Sequence, residues 1–251
     1  MRIGRFRAFS FHLIGSAFIG LCCAALVFLL WYPWPLPVAT GVTGIFLLLL
    51  SVDITIGPLI TLIIFNPAKK ELKRDLAIIL LLQIGALLYG MHAVWVARPV
   101  YTVFCMDRFD LVFANDLTKE KLDKVSDTNF QSIPWGRPQL AAAQNPDDPE
   151  ERNDVIFNST FGGDDLPQLP QYYVPYSTQK ALVLEKLQPL DNLKSFNSGN
   201  EAAVDQLIGK YATNKVDVGF LPLRGKVQDL TVIVHKDSAD VLEIVDLNPW
   251  P

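Results

Sequence analysis

Residues 38–65, VATGVTGIFLLLLSVDITIGPLITLIIF, form a near-continuous apolar run with one ionisable side chain, Asp53, and one proline, Pro58. As a helix, these 28 residues would rise about 42 Å at ~1.5 Å per residue. That exceeds the roughly 30 Å hydrocarbon core of a bilayer, so the run can span one with tilt or a kink to spare. Asp53 falls near the middle, where a carboxylate costs roughly 2.5–3.5 kcal/mol on insertion scales. Asp53, Gly57 and Thr61 repeat every four residues, so the acid shares a helix face with small residues. That face is expected to turn away from lipid. Pro58 cannot donate to the Ile54 carbonyl and crowds that turn, which predicts a kink or opening. The freed carbonyl then needs a neighbouring helix, a side chain or water. Three readings stand: a site for a partner helix, a site for a proton or ion, or an acid hydrogen-bonded within its own bundle.

Two more runs have similar character. Residues 10–31 follow Arg2, Arg5 and Arg7, and residues 76–97 carry no charge beyond whatever His92 takes. The basic start raises the possibility of a signal peptide. The first run is about twenty residues long and no small-x-small cleavage site follows it, so it reads as an uncleaved transmembrane helix. Lys69, Lys70, Lys73 and Arg74 fill the loop before the third run, while the turn 32–37 has no charge. The positive-inside rule then places the N-terminus and the loop with Arg74 and Asp75 in the cytoplasm, and everything after residue 97 outside it. Trp31, Tyr32, Trp34 and Trp95 collect at the opposite interface as an aromatic belt.

These helices are built to pack closely. Gln83, Ala86, Gly90, Ala93 and Ala97 form one small-residue seam with a single amide, and Ser16, Gly20 and Cys23 form another. Such seams allow close backbone approach, and an amide in lipid adds an interhelical hydrogen bond of about 1 kcal/mol. Gln83 is the expected partner of Asp53. His92 reads as interfacial, no metal site is expected, and the three cysteines offer neither a disulfide framework nor a Cys-x-x-Cys spacing. Cys105 is expected to be a small buried hydrophobe.

The chain is 50% hydrophobic and 19% charged, and the apolar excess lies in its first hundred residues. Residues 1–97 carry seven Lys/Arg against three Asp/Glu, and residues 98–251 carry fifteen against twenty-three. A basic membrane part joined to an acidic outer part argues against nucleic-acid binding. The expected organisation is a three-helix transmembrane region, 1–97, and an α+β domain with an antiparallel sheet, 98–251. Alternating β-branched and aromatic sequence begins at Pro99 without a linker, with Tyr101, Val103 and Cys105 on one side. A short capped helix follows residues 115–116, and residues 131–149 read as an irregular arm. Residues 148–157, 178–187 and 201–211 carry helical patterns, whereas 215–221, 230–235 and 241–247 read as strands.

No phosphate-binding glycine loop, dinucleotide fingerprint, zinc-protease motif or nucleophile elbow is present. Acidic pairs at Asp147-Asp148, Glu150-Glu151 and Asp164-Asp165 lack calcium-loop spacing and read as solvated charge. Nothing nominates a nucleophile with its base. The expectation is a protein that is not an enzyme and needs no cofactor.

Several stretches taken together point further. SVDITIGPLITLIIF, LKRDLAIILLLQIGALLYG and ARPVYTVFCMDRFDLVFAND, with LPQYYVPY and the closing FLPLRGKVQDLTVIV and NPW, resemble the bacterial type IV pilin accessory proteins, the TfpX/TfpZ group. The resemblance covers residues 45–115 and 166–251. It implies a multi-pass protein of the bacterial inner membrane, with its C-terminal domain in the periplasm. Such a protein would assist the major type IV pilin, and other pilus assembly components, without catalysis. The matching positions are Asp53, Gly57 and Pro58 within the membrane, Arg74 and Asp75 at the start of the third helix, and Arg98, Pro99, Asp107, Arg108 and Phe109 at the membrane–domain junction. Thr61 and Gln83 join the intramembrane set from the helix pattern. Two competing readings are an ion- or proton-coupled membrane component using Asp53 and a membrane-anchored sensor of the periplasm. The sensor reading lacks a cytoplasmic output domain, since the longest inner loop is about ten residues.

Overall fold

The structure is a computed structural model that describes residues 4–251, so Arg2 of the basic N-terminal cluster lies outside the described residues. Three helices are long and apolar enough to cross a membrane: Arg5–Trp31, Val42–Ile64 and Leu72–Val96. The first comprises α1 (Arg5–Ala25) and a π-helical continuation, Leu26–Trp31. The others are α3 (Val42–Ile64) and α4 (Leu72–Val96). The bundle has its polarity inverted relative to a soluble protein. Phe18, Leu48, Leu81 and Leu82 are exposed on its outside, while Ser16, Asp53 and Thr61 are buried. In lipid, tight packing and internal hydrogen bonds replace hydrophobic collapse as the cohesive force.

The small-residue seams do what their spacing predicts. A β-carbon on Gly20 would strike the Leu50 side chain, and one on Gly90 would strike Leu49. Both leucines belong to α3, which is the middle helix and packs on α1 and α4 alike. The backbones of α1 and α4 stay largely apart, with side chains bridging them.

The apolar run 38–65 is not one helix. Its first residues belong to α2 (Leu36–Thr40), a short helix ended by Gly41 at φ 70°, a left-handed conformation that glycine adopts at little cost. Leu36 and Ala39 are buried in the core of the sheet domain. The Ala39 carbonyl accepts hydrogen bonds from the backbone N–H groups of Lys226 (2.9 Å) and Val227 (2.8 Å). The loop between the first two membrane helices is thereby clamped to the domain 187 residues later. Hydropathy alone joins α2 to α3, because both a membrane helix and a domain core demand apolar residues.

The domain starts one turn after α4, at β1 (Pro99–Cys105), as expected from the missing linker. The sheet order is β4-β3-β1-β2-β6-β7-β8, with β5 pairing β6. Its members are β2 (Arg108–Phe113), β3 (Gln139–Ala143), β4 (Tyr173–Val174), β5 (Gln188–Pro189), β6 (Val218–Arg224), β7 (Leu230–His235) and β8 (Val241–Val245). Pairing is antiparallel except at β1–β3 and β2–β6, so the α+β sheet is mixed. Strand β3, QLAAA, lies within the presumed arm. Alanine has little strand preference, and these three alanines hold an extended form because both sheet faces bury them. Helices α5 (Lys119–Leu122), α6 (Pro149–Thr160), α7 (Lys180–Lys186), α8 (Asn192–Phe196) and α9 (Glu201–Asn214) complete the fold. Tyr101, Val103 and Cys105 pack together on one face, and Phe104 and Phe109 on the other.

Two core tyrosines carry a pH prediction. Burial pushes the Tyr101 hydroxyl up to about 12 and that of Tyr173 well above its ordinary value. An unfolded tyrosine ionises near pH ~10. The folded state therefore keeps protons that the unfolded state gives up, and stability is lost as pH rises from about 10. Absorbance titration of the full chain in detergent is expected to show these tyrosines ionising together with unfolding. Reversible ionisation of all tyrosines near pH 10 in a folded protein would refute this.

Candidate functional site: an intramembrane polar groove

The polar face of α3 meets its counterparts at Gln83, on α4. A β-carbon on Gly57 would occupy the space of the Gln83 amide, so Gly57 creates the slot that Gln83 fills. The amide Nε2 donates to the Asp53 backbone carbonyl (2.7 Å) and to the Ser16 hydroxyl (3.0 Å). The amide oxygen lies 3.0 Å from His12 Nε2, and His12 Nδ1 lies 2.7 Å from the Thr61 hydroxyl. A neutral imidazole then carries its proton on Nε2, donating to Gln83, and accepts the Thr61 hydroxyl at Nδ1. One network thus joins all three membrane helices. α3 continues without a break through Pro58, and the amide lands on the carbonyl next to the one that the proline leaves without its donor.

The expected pairing of the Gln83 side chain with the Asp53 carboxyl is not what forms. Seated over Gly57, the amide reaches the main chain of Asp53 instead. The Asp53 side chain is 5% exposed, and neither of its oxygens has a hydrogen-bond partner among the described residues. Two cavities border it. One, of about 250 Å³, opens between α1 and α4 and is lined by Phe11, Ser16, Leu80 and Leu87 together with Asp53 and Gln83. The other, of about 200 Å³, lies between α3 and α4 among Val52, Ile56, Ile79 and Leu82. An unsatisfied carboxyl in hydrocarbon is costly, and both of these oxygens are buried beside the two cavities.

His12 is the member that pattern reading passed over. It extends the Ser16–Gly20 seam by four residues towards the N-terminus, and that spacing is its signal.

Of the expected junction residues, Arg98 and Pro99 lie where the helix becomes the strand. Arg98 is 3% exposed. Its guanidinium sits 3.3 Å from the Trp95 ring centroid and donates to the carbonyls of Trp95 (2.8 Å) and Pro134 (2.9 Å). Trp95 packs on Trp31 and on Trp135, and Arg137 Nε donates to the Leu29 carbonyl at 3.2 Å. The arm 131–149 therefore ties the domain back to the first membrane helix. Asp107, Arg108 and Phe109 are not at this junction. β1 leaves the bundle and β2 returns to it, which puts residues 107–109 at the far tip of the hairpin. Seven strand residues carry the chain roughly 23 Å from the membrane end. Phe109 is core, and Asp107 is exposed. Arg108 joins Arg224 in flanking the buried Asp110, with Arg224 also bonded to Asp165 at 2.9 Å. Arg74 and Asp75 lie in the first turn of α4 rather than in the loop before it, and pair with Glu71 and Lys69 respectively. Among the described residues, no group of three or more His, Cys, Asp or Glu side chains is arranged to hold a metal ion.

The fimbrial assembly protein of serogroup E1 from Dichelobacter nodosus is 30% identical over 230 residues, covering 90% of this chain and 89% of that protein. The chain belongs to the fimbrial assembly protein family. The serogroup I protein of the same organism matches this member to the same extent, 30% over 230 residues. A third relative, of serogroups C1 and C2, is 34% identical over 113 residues, 44% of this chain and 86% of its own length. The sequence model of the family described as Fimbrial assembly protein FimB matches residues 2–41, which take in His12, Ser16, Gly20 and the α2 clamp. No solved structure matches. Membership of the fimbrial assembly family agrees with the resemblance to type IV pilin accessory proteins.

Proposed function

We propose that this fimbrial assembly family member is a non-catalytic accessory of the bacterial inner membrane that holds type IV pilin and promotes or tunes its assembly into pili. The N-terminus and the basic turn that leads from α3 into α4 face the cytoplasm, and the sheet domain lies in the periplasm. The observation that carries this reading is the Asp53 carboxyl, buried and unpartnered beside a cavity between α1 and α4. A pilin before assembly presents one hydrophobic helix with a globular head outside the membrane. A helix seated between α1 and α4 would cover the cavity and give the carboxyl a hydrogen-bond partner. The α2 clamp and the Arg98–Trp95 contacts hold the outer domain at a fixed position over that helix.

The test uses photocrosslinking in the native cell from Leu80, which lines the groove and is 48% exposed. Crosslinks to the major pilin are the expected result. Their absence while pili form normally would overturn the reading. The chain Thr61–His12–Gln83, which ends on the Asp53 main-chain carbonyl beside the buried acid, also favours a second reading, a proton-coupled component. In that case Asp53→Asn would abolish function yet leave the Leu80 crosslink unchanged.

A further inference from the structure

Helix α6 (Pro149–Thr160) is poorly accounted for by the fold. It follows β3, which runs parallel to β1 and so ends on the side of the sheet away from the membrane bundle. Of its twelve residues only Val155 is buried. Other ties are local: Arg152 donates to the Pro146 carbonyl at 2.8 Å, and the Tyr172 hydroxyl donates to Glu151 at 2.7 Å. Glu150, Asp154, Phe157 and Phe161 follow at spacings of four, three and four, which sets them on one stripe. At 100° per residue that stripe lies roughly 100–160° around the helix from Val155. Phe157 and Phe161 are 62% and 82% exposed, and their rings stack on each other with planes 5° apart.

Two large aromatics stacked in water on a protruding helix are a surface awaiting an occupant. The charge around them selects which. Asp147, Asp148, Glu150, Glu151 and Asp154 surround the stripe, against Arg152 alone. Among the described residues, Glu150 and Asp154 form no ion pair. Such a surface repels anionic lipid headgroups, and it repels the same surface of a second copy. We propose that α6 is a docking finger: Phe157 and Phe161 enter an apolar slot on an extracytoplasmic protein partner whose rim carries Lys or Arg facing Glu150 and Asp154. This goes beyond the intramembrane groove and does not depend on it.

The experiment places a photocrosslinking residue at Phe161 of the full chain in the native cell. A charge-reversed version, Glu150→Lys with Asp154→Lys, is run in parallel, and both carry Leu80 probes in separate strains as a control. These positions are exposed, so the fold is retained. The expected result is a protein crosslink whose mapped peptide is apolar with Lys or Arg nearby. Its yield should fall about fivefold or more on charge reversal and recover when the mapped basic residue is changed to Glu. Crosslinks to lipid or to a second copy, no crosslink, or a yield indifferent to charge reversal would each overturn the proposal. An unchanged Leu80 crosslink in those cases leaves the groove reading standing, and loss of the Leu80 crosslink alone leaves the finger standing.

Discussion

Replacing Asp53 by leucine is expected to strengthen the bundle and weaken its grip on a partner at once. Among the described residues the carboxyl satisfies no hydrogen-bond donor. Both oxygens lack partners, and Gln83 bonds to the Asp53 main chain, which the substitution leaves in place. Removing a mid-membrane acid should therefore stabilise the bundle by up to about 3 kcal/mol, read as greater resistance to denaturation in detergent. One lost interhelical hydrogen bond of about 1–2 kcal/mol lowers partner association roughly five- to thirtyfold, read as the Leu80 crosslink and as surface pili. Asp53→Asn keeps hydrogen-bonding capacity and should sit between the two. A bundle destabilised by Asp53→Leu would mean that the acid is an internal structural element, and unchanged crosslinking and piliation would remove the intramembrane half of the proposed function.

Asp110→Ala is expected to destabilise the sheet domain. Asp110 is 3% exposed at the β2–β6 pairing, between Arg108 and Arg224. Burial pushes its carboxyl above the ordinary range, with Arg224 and then Arg108 opposing that shift. Deleting it leaves two guanidinium groups facing each other with Asp165 as the remaining acid. Because Arg224 is 45% exposed and Asp165 still pairs with it, the cost falls below that of a fully buried pair, to about 2 kcal/mol, measurable by denaturant titration of the full chain in detergent. Asp107→Ala, three residues from Asp110 but 62% exposed, should stay within about 0.5 kcal/mol. Equal effects at the two positions would contradict the hairpin-tip placement.

The groove and the ion cluster differ in how far a linear reading reaches them. Asp53, Gly57 and Thr61 were legible because a regular helix makes four-residue spacing a statement about one face. Gln83 was legible as the lone amide in a seam of small residues. The bond that Gln83 makes was not, since it depends on the depth at which α4 sits against Gly57. His12 needed the same seam to be followed one turn further. Asp110 and Arg224 are 114 residues apart and become neighbours only through a parallel strand pairing that no local pattern encodes.

By itself the sequence determined the three membrane helices, the linker-free passage into an α+β domain, the inward polar face and the family resemblance. Each of these follows from composition or from a period that local geometry imposes. Only the tertiary structure decided that α2 belongs to the domain core, that β3 is a strand, that residues 107–109 lie far from the membrane, and that the Asp53 carboxyl has no hydrogen-bond partner among the described residues. Those outcomes turn on which distant segments share a surface, and apolar residues are demanded alike by lipid, by a sheet core and by a helix seam.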